Sequence, residues 1–368
     1  MAVGKRLVLL LILLLATGLR FYRLDTQSFW NDEGNSARLS ERSLRLIIEG
    51  TASDVHPPLY YLMLRGWREL VGEHEFGLRS FSAFAGVLTV AVTMALGHWL
   101  AGWRLAGVAG FLTAVHPALI YYSQETRMYA LLALWAILST YLLLRLEKVH
   151  WQLTINHWPL IILYTLTLTA GLYTHYFFPA ILVVHGLILI TSAPPLLRSS
   201  APLLKWLGIV GTAVLLYTPW LPILLRQIGG RPETDITFLQ FLHDAGNWLA
   251  FGQTLSVGWG LWLVASLVML GVLPGRARSR IPLIATFIPL LFMVVAGSTA
   301  PQFYKFLLTA VPFLCLLLAF AIHNSQFTRH CLLFTVHCLL FTDHALPKKP
   351  LHQPRLRPCR LSRSGGTN

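Results

Sequence analysis

Ten runs of apolar residues, each close to the length that a bilayer-spanning helix needs, dominate this chain. A spanning helix takes about 20 predominantly apolar residues. Only 12% of the 368 residues are charged, which is about half the usual fraction in soluble proteins. The sequence therefore predicts an all-α, polytopic membrane protein with about ten spans. The predicted spans cover residues 7–20, 81–100, 105–122, 129–146, 158–174, 177–192, 206–224, 257–274, 281–299 and 305–322.

Basic residues in the short loops predict the orientation of this bundle. They are frequent on the side that holds the N-terminus and sparse on the other side, where Arg127 and Lys305 are nearly the only cations. Because Lys and Arg accumulate on the cytoplasmic side, we expect a multi-pass protein of the plasma (inner) membrane with a cytoplasmic N-terminus. Residues 21–80 are then extracytoplasmic, and they stay so if residues 7–19 are instead a signal-peptide core. The inner basic residues are Lys5, Arg6, Arg104, Arg145, Lys148, Arg198, Lys205, Arg276, Arg278 and Arg280.

Acidic residues are concentrated in the first predicted extracytoplasmic loop. Nine of the fifteen Asp and Glu residues fall between Asp25 and Glu75, and two of them, Asp32 and Glu33, are adjacent just after the first apolar run. A membrane protein keeps ionisable groups near the bilayer where they are solvated, paired or functional. The loop is therefore a candidate functional site, and the alternative is an ordinary solvated loop.

The same loop has the pattern of two helices. Aliphatic and charged residues intersperse over residues 36–50, as in an amphipathic helix that lies on a membrane surface, and a second helix is predicted over residues 59–70. Two prolines separate them, because proline fixes φ and lacks a backbone donor. We expect this break to direct His56 and Tyr60 toward Asp32. The alternative for His56 is a turn histidine that caps a helix.

Further polar groups are predicted on the same side of the membrane. Arg127 lies in the tight turn 121–129, where its guanidinium either binds a phosphate through two hydrogen bonds or forms a salt bridge within the turn. Lys305 is a second such cation, or a lysine that extends to the interface. His175 is either a pocket residue or a hydrogen-bonded interfacial histidine. The loop 225–256 is long enough to cover the site or to select the acceptor.

Two carboxylates and two cations on one face suit a particular reaction. When an acceptor hydroxyl attacks a sugar attached to a lipid phosphate, a carboxylate can take the hydroxyl proton while cations stabilise the departing phosphate. An inverting displacement needs one base and no covalent intermediate, so a single aspartate is sufficient. The sequence contains no phosphate-binding Gly-rich loop, no H-E-x-x-H motif and no nucleophile-elbow serine.

Six short motifs follow one another through the chain: Asp32-Glu33, His56-Pro57-Pro58-Leu59-Tyr60-Tyr61, Glu75-Phe76-Gly77-Leu78-Arg79, Tyr122-Ser123-Gln124-Glu125-Thr126-Arg127-Met128-Tyr129, Tyr173-Thr174-His175-Tyr176 and Pro219-Trp220-Leu221-Pro222. In order and spacing they resemble the bacterial branch of glycosyltransferase family 39, over about residues 1–320. These are GT-C membrane transferases, similar to dolichyl-phosphate-mannose protein mannosyltransferases and to the lipid A aminoarabinose transferase. The resemblance implies inverting transfer of a sugar from a polyprenyl-phosphate donor to a protein, lipid or glycan acceptor at the extracytoplasmic face.

The resemblance also implies roles for individual residues. Asp32 matches the proposed general base and Glu33 its motif neighbour, while Arg127 and Lys305 match positions near the lipid phosphate. At Lys305 the family more often has arginine, so the charge is kept but the bidentate fork is lost. A divalent cation at the two adjacent carboxylates stays open, because such a pair is a weak metal site without further ligands. The residues implied to line the donor pocket are His56, Tyr60, Gln124, Glu125 and His175.

The sequence changes character near its end. Residues 330–336 are followed by a near copy at 337–343 and then by a basic, Pro-rich segment. We therefore expect residues 1–322 to be the transferase domain and residues 323–368 to be a disordered or frameshifted tail. This tail and the topology-setting loops account for the net charge of +14, so no nucleic-acid partner is expected. The alternatives are a transporter or lipid flippase, whose ionisable groups generally lie at mid-membrane, and a truncated, inactive transferase.

Overall fold

The computed structural model of this chain is a bundle of α-helices. It describes residues 2–149, 151, 154–192, 201–227, 236–254, 260, 261, 265 and 277–324. No β-strand occurs among these residues, which confirms the all-α prediction for the described part of the chain. The helices are α1 (Ala2–Phe21), α2 (Asn31–Ser40), α3 (Leu44–Ala52), α4 (Leu59–Val71), α5 (Glu75–Ala101), α6 (Trp103–Val115), α7 (Pro117–Ser123), α8 (Tyr129–Lys148), α9 (Trp158–Thr174), α10 (Pro179–Ser192), α11 (Ala201–Tyr217), α12 (Leu221–Gln227), α13 (Phe238–Phe251), α14 (Arg280–Val295) and α15 (Val311–Asn324), with a 3₁₀ helix at Pro301–Thr309.

Length and apolar character identify the helices that can cross a membrane. In the described part of the chain these are α5, α8 and the segment Ala201–Gln227, and two bent helix pairs raise the number to five. The bent pairs are α6 with α7, at 59°, and the 3₁₀ helix Pro301–Thr309 with α15, at 64°. The chain is therefore a membrane protein, as predicted. The number of ten spans stays a prediction, and the predicted span 257–274 lies outside the described residues except for positions 260, 261 and 265.

The bend between α6 and α7 follows from Pro117, which lacks the N–H that a continuous helix would use at this position. The carbonyl of Thr113, four residues earlier, is thereby left without its helical donor. Arg20 at the end of α1 is fully buried, and its Nη2 donates to Thr113 O at 3.1 Å while Nη1 donates to Ala114 O at 2.9 Å. A cation at a helix C-terminus also interacts favourably with the helix dipole. Arg20 thus anchors α1 to the broken helix.

The centre of the bundle is formed by α5, which packs against α1, α6 and α8. Gly97 of α5 faces Ala106 of α6 so closely that an added Cβ would lie 3.1 Å from the Ala106 Cα. Small residues allow this kind of close approach between membrane helices. The absence of a side chain at Gly97 therefore sets the spacing of the α5–α6 pair.

A chain of buried hydrogen bonds joins α8, α9, α10 and α11. Trp206 Nε1 donates to the Tyr164 hydroxyl at 3.0 Å, and that hydroxyl lies 2.9 Å from His185 Nδ1. His185 Nε2 lies 3.0 Å from Thr140 Oγ1. Because unpaired polar groups are costly inside a bilayer, this series of hydrogen bonds determines how the four helices pack together.

The surface helices after α1 differ in one respect from the prediction. The expected single helix over residues 36–50 is wrong: α2 ends at Ser40 and α3 begins at Leu44. Ser43 starts the second helix, because its hydroxyl accepts a hydrogen bond from Leu46 N at 3.5 Å and serine is a favoured N-cap. The helix predicted over residues 59–70 is confirmed as α4. α2 packs against both α3 and α4.

Candidate active site

Two cavities open where α2 meets the turn between α7 and α8. The first cavity has a volume of about 450 Å³ and the second about 360 Å³. Five of the residues predicted from the sequence line the first cavity together, although they come from five separate segments of the chain. They are Asp32, His56, Arg127, His175 and Lys305.

Asp32 and Arg127 form an ion pair in the first cavity. Arg127 Nη2 lies 3.4 Å from Asp32 Oδ2. Nη1 also donates to the Asp32 backbone carbonyl at 3.3 Å and to Ser36 Oγ at 3.4 Å. The Arg127 side chain is 6% exposed and that of Asp32 is 32% exposed. The guanidinium is thus held by α2, while the carboxylate stays accessible from the cavity.

Tyr129 lies beside both cations of the first cavity. The Arg127 guanidinium carbon is 5.8 Å from the centre of its ring, and Lys305 Nζ is 5.0 Å from it. The face of an aromatic ring attracts cations electrostatically. In the described part of the chain, no carboxylate lies within 4.0 Å of Lys305 Nζ, so its charge is not neutralised by a direct ion pair. Two positive charges beside one ring can bind an anion such as a phosphate.

Two histidines stand next to each other in the same cavity. The ring centres of His56 and His175 are 5.9 Å apart. The His175 ring also packs edge-on against the Phe306 ring, with 4.5 Å between the ring centres. His175 Nδ1 accepts a hydrogen bond from Phe177 N at 3.1 Å, so in the neutral ring the proton is on Nε2. His56 Nδ1 lies 3.4 Å from Asp54 Oδ2. Burial lowers the pKa of His56, and the contact with His56 lowers the pKa of Asp54.

Glu33 does not share the environment of its neighbour Asp32. It is 1% exposed and forms two hydrogen bonds with Arg79, from Nε at 2.9 Å and from Nη2 at 2.7 Å. Its Oε1 also accepts from the backbone N–H of Thr126 at 2.8 Å. Arg79 in turn donates to the carbonyls of Leu24 and Gln27, at 2.6 and 2.7 Å. This ion pair ties α2 and α5 to the turn that carries Arg127.

Gln124 and Glu125 line the second cavity with Glu33 and Arg79. Gln124 Nε2 donates to Leu19 O at 3.1 Å and to Tyr22 O at 3.0 Å, so its carbonyl oxygen is left to accept. Glu125 is 7% exposed, and burial raises its pKa to about 7. Three of the nine residues predicted from the sequence, namely Glu33, Gln124 and Glu125, therefore lie in a cavity separate from Asp32.

The structure also identifies cavity residues that sequence reasoning missed. Tyr60 is fully buried, and its neighbour Tyr61 is the one that lines the first cavity. Tyr129 and Asp54 line it as well. All three belong to motifs that carry the family resemblance or adjoin one, so their position in the chain was a signal. Which side chain of each motif faces the cavity depends on how the helices pack, and the sequence does not show this.

The loop predicted over residues 225–256 reaches the first cavity through Gln227. Its amide nitrogen donates to Thr51 O at 3.1 Å and to Ala52 O at 3.0 Å. This contact joins the end of α12 to the end of α3. Three charged residues of the loop, Arg231, Glu233 and Asp235, lie outside the described residues.

The adjacent carboxylates considered for a divalent cation face different cavities. Among the residues that the structure describes, no group of three His, Cys, Asp or Glu side chains is placed to hold a metal ion. Asp32 lies beside Arg127, and Glu33 uses both of its carboxylate oxygens in the hydrogen bonds to Arg79 and Thr126. The two carboxylates therefore do not converge on one position.

This helical bundle has the GT-C fold, which is the fold of the solved glycosyltransferase structures that it resembles. The solved structures that it resembles include ArnT from Cupriavidus metallidurans in the apo state, with a TM-score of 0.62 at 16% sequence identity over 92% of this chain. They also include ArnT bound to undecaprenyl phosphate, with a TM-score of 0.58 at 16% identity over 92% of this chain. The apo oligosaccharyltransferase from Archaeoglobus fulgidus gives a TM-score of 0.59 at 14% identity over 91% of this chain.

The chain is shorter than these proteins and distant from them in sequence. It spans 63% of the ArnT chain and 52% of the oligosaccharyltransferase chain. No protein-family model and no curated protein sequence matches it. The similarity to the solved structures is therefore one of fold.

Proposed function

We propose that this protein is a GT-C glycosyltransferase that transfers a sugar, with inversion, from a polyprenyl-phosphate-linked donor to an acceptor hydroxyl at the extracytoplasmic face. The observation that carries the proposal is the first cavity. It holds the carboxylates of Asp32, which pairs with Arg127, and of Asp54, which contacts His56, together with the two cations Arg127 and Lys305. A base and an anion-binding pair are what such a displacement requires.

In the proposed reaction Asp32 is the general base. The acceptor oxygen forms a bond to the anomeric carbon while the bond from that carbon to the phosphate oxygen breaks. The hydroxyl proton passes to the Asp32 carboxylate, and the electron pair of the broken bond leaves with the polyprenyl phosphate. No covalent intermediate on the enzyme is needed in such an inverting step.

Arg127 and Lys305 bind the phosphate and stabilise the charge that develops on it. Arg127 is held by contacts with Asp32 and Ser36 of α2, and the Tyr129 ring lies next to both cations. Charges that are already in place stabilise a transition state without reorganisation during the reaction. His56 and His175 line the same cavity, and we assign them to contacts with the sugar.

The named neighbours support the choice of donor. One ArnT structure is bound to undecaprenyl phosphate, and the archaeal oligosaccharyltransferase AglB has been solved in complex with an inhibitory peptide and a dolichol-phosphate. Both ligands are polyprenyl phosphates. A polyprenyl-phosphate sugar is accordingly the donor class proposed here, whereas the sugar and the acceptor are left to experiment.

The test measures turnover of polyprenyl-phosphate-linked hexoses and pentoses by the full chain in proteoliposomes. We expect wild type to release polyprenyl phosphate and Asp32→Asn to lower kcat by about 10²–10⁴-fold, because that is the usual contribution of a general base. Asp25→Asn, which changes an exposed carboxylate outside both cavities, is the matched control. Normal turnover by Asp32→Asn would remove the base assignment. Movement of the lipid across the bilayer without a covalent change would favour the transporter alternative.

A further inference from the structure

The second cavity has a lining unlike that of the first. Its most buried charged residues, Glu33 and Arg79, are 1% and 5% exposed and neutralise each other. Around them lie side chains that form hydrogen bonds and carry no charge, including Thr26, Gln27 and Gln124, and two further ionisable residues of opposite sign, Arg23 and Glu125. A site of this kind favours a neutral ligand with many hydroxyl groups over an ion, because hydroxyls both donate and accept.

Contacts within the protein hold the polar groups of this cavity in place. The Gln124 amide donates both of its bonds to the backbone of the α1 end, at Leu19 and Tyr22, and therefore presents its carbonyl. Glu125 is buried, and its pKa is raised to about 7 chiefly by that burial, so near neutrality its carboxyl group is available in both donor and acceptor forms. Arg23 has a left-handed backbone, with φ at 57°, which is uncommon for a residue other than glycine.

Large aromatic rings border the same cavity. Tyr22 is 68% exposed, Trp30 is 47% exposed and Tyr121 is 41% exposed, and all three line the cavity. Tyr and Trp present an apolar face together with a polar edge. Flat aromatic faces beside hydrogen-bonding amides match the two kinds of surface on a sugar ring, which has apolar C–H faces and a rim of hydroxyls.

We propose that the second cavity binds a neutral saccharide that forms part of the acceptor. The proposal rests on the proposed function. Glu33 in this cavity directly follows Asp32 in the first one, and Glu125 precedes Arg127 by two residues. The same two segments, α2 and the turn before α8, therefore line both the proposed acceptor cavity and the cavity that holds the proposed base. The acceptor class is then a carbohydrate-bearing molecule.

The test measures binding of the full chain, in nanodiscs, to an array of neutral and acidic oligosaccharides of defined sequence. We expect wild type to bind neutral oligosaccharides. Trp30→Ala removes an aromatic face, and Gln27→Ala removes a hydrogen-bonding side chain at an exposed position. We expect each to weaken binding by about tenfold, which corresponds to about 1.4 kcal/mol. Trp158→Ala, which removes an exposed tryptophan lining neither cavity, should bind as wild type does.

Several outcomes would overturn the proposal. These are no binding of any neutral oligosaccharide by wild type, binding of acidic oligosaccharides alone, an equal loss in Trp158→Ala, and unchanged binding in the two cavity variants. Gln27→Ala keeps the test open if Trp30→Ala does not fold, since size-exclusion elution and the thermal midpoint report folding for each variant. Donor turnover is measured separately, so a chain that turns over donor without binding saccharide contradicts this inference alone.

Discussion

The carboxylate of Glu33 and the guanidinium of Arg79 meet through two hydrogen bonds, at 2.9 and 2.7 Å, with both side chains almost completely buried. The pair connects α2 to α5 across 46 positions of sequence. Because Thr126 N also donates to Glu33, the position of the turn that carries Arg127 depends on this one carboxylate.

We expect Glu33→Gln to destabilise the protein by about 3–5 kcal/mol, because it leaves the Arg79 cation buried without its counter-ion. The measurement is the thermal midpoint of the purified protein in detergent. Glu49→Gln is the matched control, since Glu49 pairs with Arg45 at 2.7 Å on the exposed surface, where such pairs contribute little. Equal midpoints for the two variants would contradict a structural role for the Glu33–Arg79 pair.

A second prediction concerns the ring between the two cations. Tyr129→Leu removes the aromatic face near Arg127 and Lys305, and we expect the KM for the polyprenyl-phosphate donor to rise about tenfold, within the range of a desolvated cation–π contact. Tyr129→Phe keeps the face and should stay within about twofold of wild type. Donor titrations at a fixed acceptor concentration check this. If Tyr129→Phe and Tyr129→Leu raised the KM for the donor equally, the aromatic face would not be what contributes to donor binding.

The hydrogen-bond chain through His185 leads to a prediction about stability. Tyr164→Phe leaves both Trp206 Nε1 and His185 Nδ1 without their shared partner, and each buried unsatisfied group costs about 1–3 kcal/mol. We expect a clear fall in the thermal midpoint. Tyr173→Phe, on the same helix, removes a hydroxyl that donates to Leu216 O at 3.0 Å in an exposed position, and it should change the midpoint much less. A larger effect at Tyr173 than at Tyr164 would be contrary to this account.

The buried carboxyl of Glu125 makes stability depend on pH. Its pKa is raised from 4.5 to about 7, chiefly by burial and also by the nearby Glu33 charge, while a hydrogen bond with Tyr121 and the charges of Arg127 and Lys305 lower it. The folded state therefore keeps a proton that the unfolded state has lost, so wild-type stability falls as the pH rises through this interval.

Glu125→Gln removes the titration. We expect the variant and wild type to have similar thermal midpoints at about pH 4, where the carboxyl is protonated in both states. The variant should become the more stable of the two above pH ~7, by at most roughly 3 kcal/mol. Thermal melts at several pH values measure the difference. A difference that does not change with pH would show that Glu125 does not titrate in this range.

Much of the architecture was predictable because it depends on local composition. Apolar runs predicted helices such as α5 and α8, and the two prolines at the 56–58 break predicted where α4 begins. The helix over residues 36–50 was not predicted correctly, because a single N-cap at Ser43 divides an otherwise uniform amphipathic pattern. Arg20 was also missed, since its partners are carbonyls released by a proline 97 positions later in the chain.

For the candidate site, too, some features follow from the local sequence and others depend on the tertiary structure. By itself, the sequence determined that the chain is helical and membrane-embedded and that most of its acids lie between Asp25 and Glu75. Only the tertiary structure decided that Asp32 faces Arg127 and Lys305 while Glu33 turns to Arg79. The physical reason is that consecutive side chains on an α-helix point about 100° apart. Two adjacent carboxylates therefore enter different cavities, and the helices packed around α2 decide which cavity each one meets.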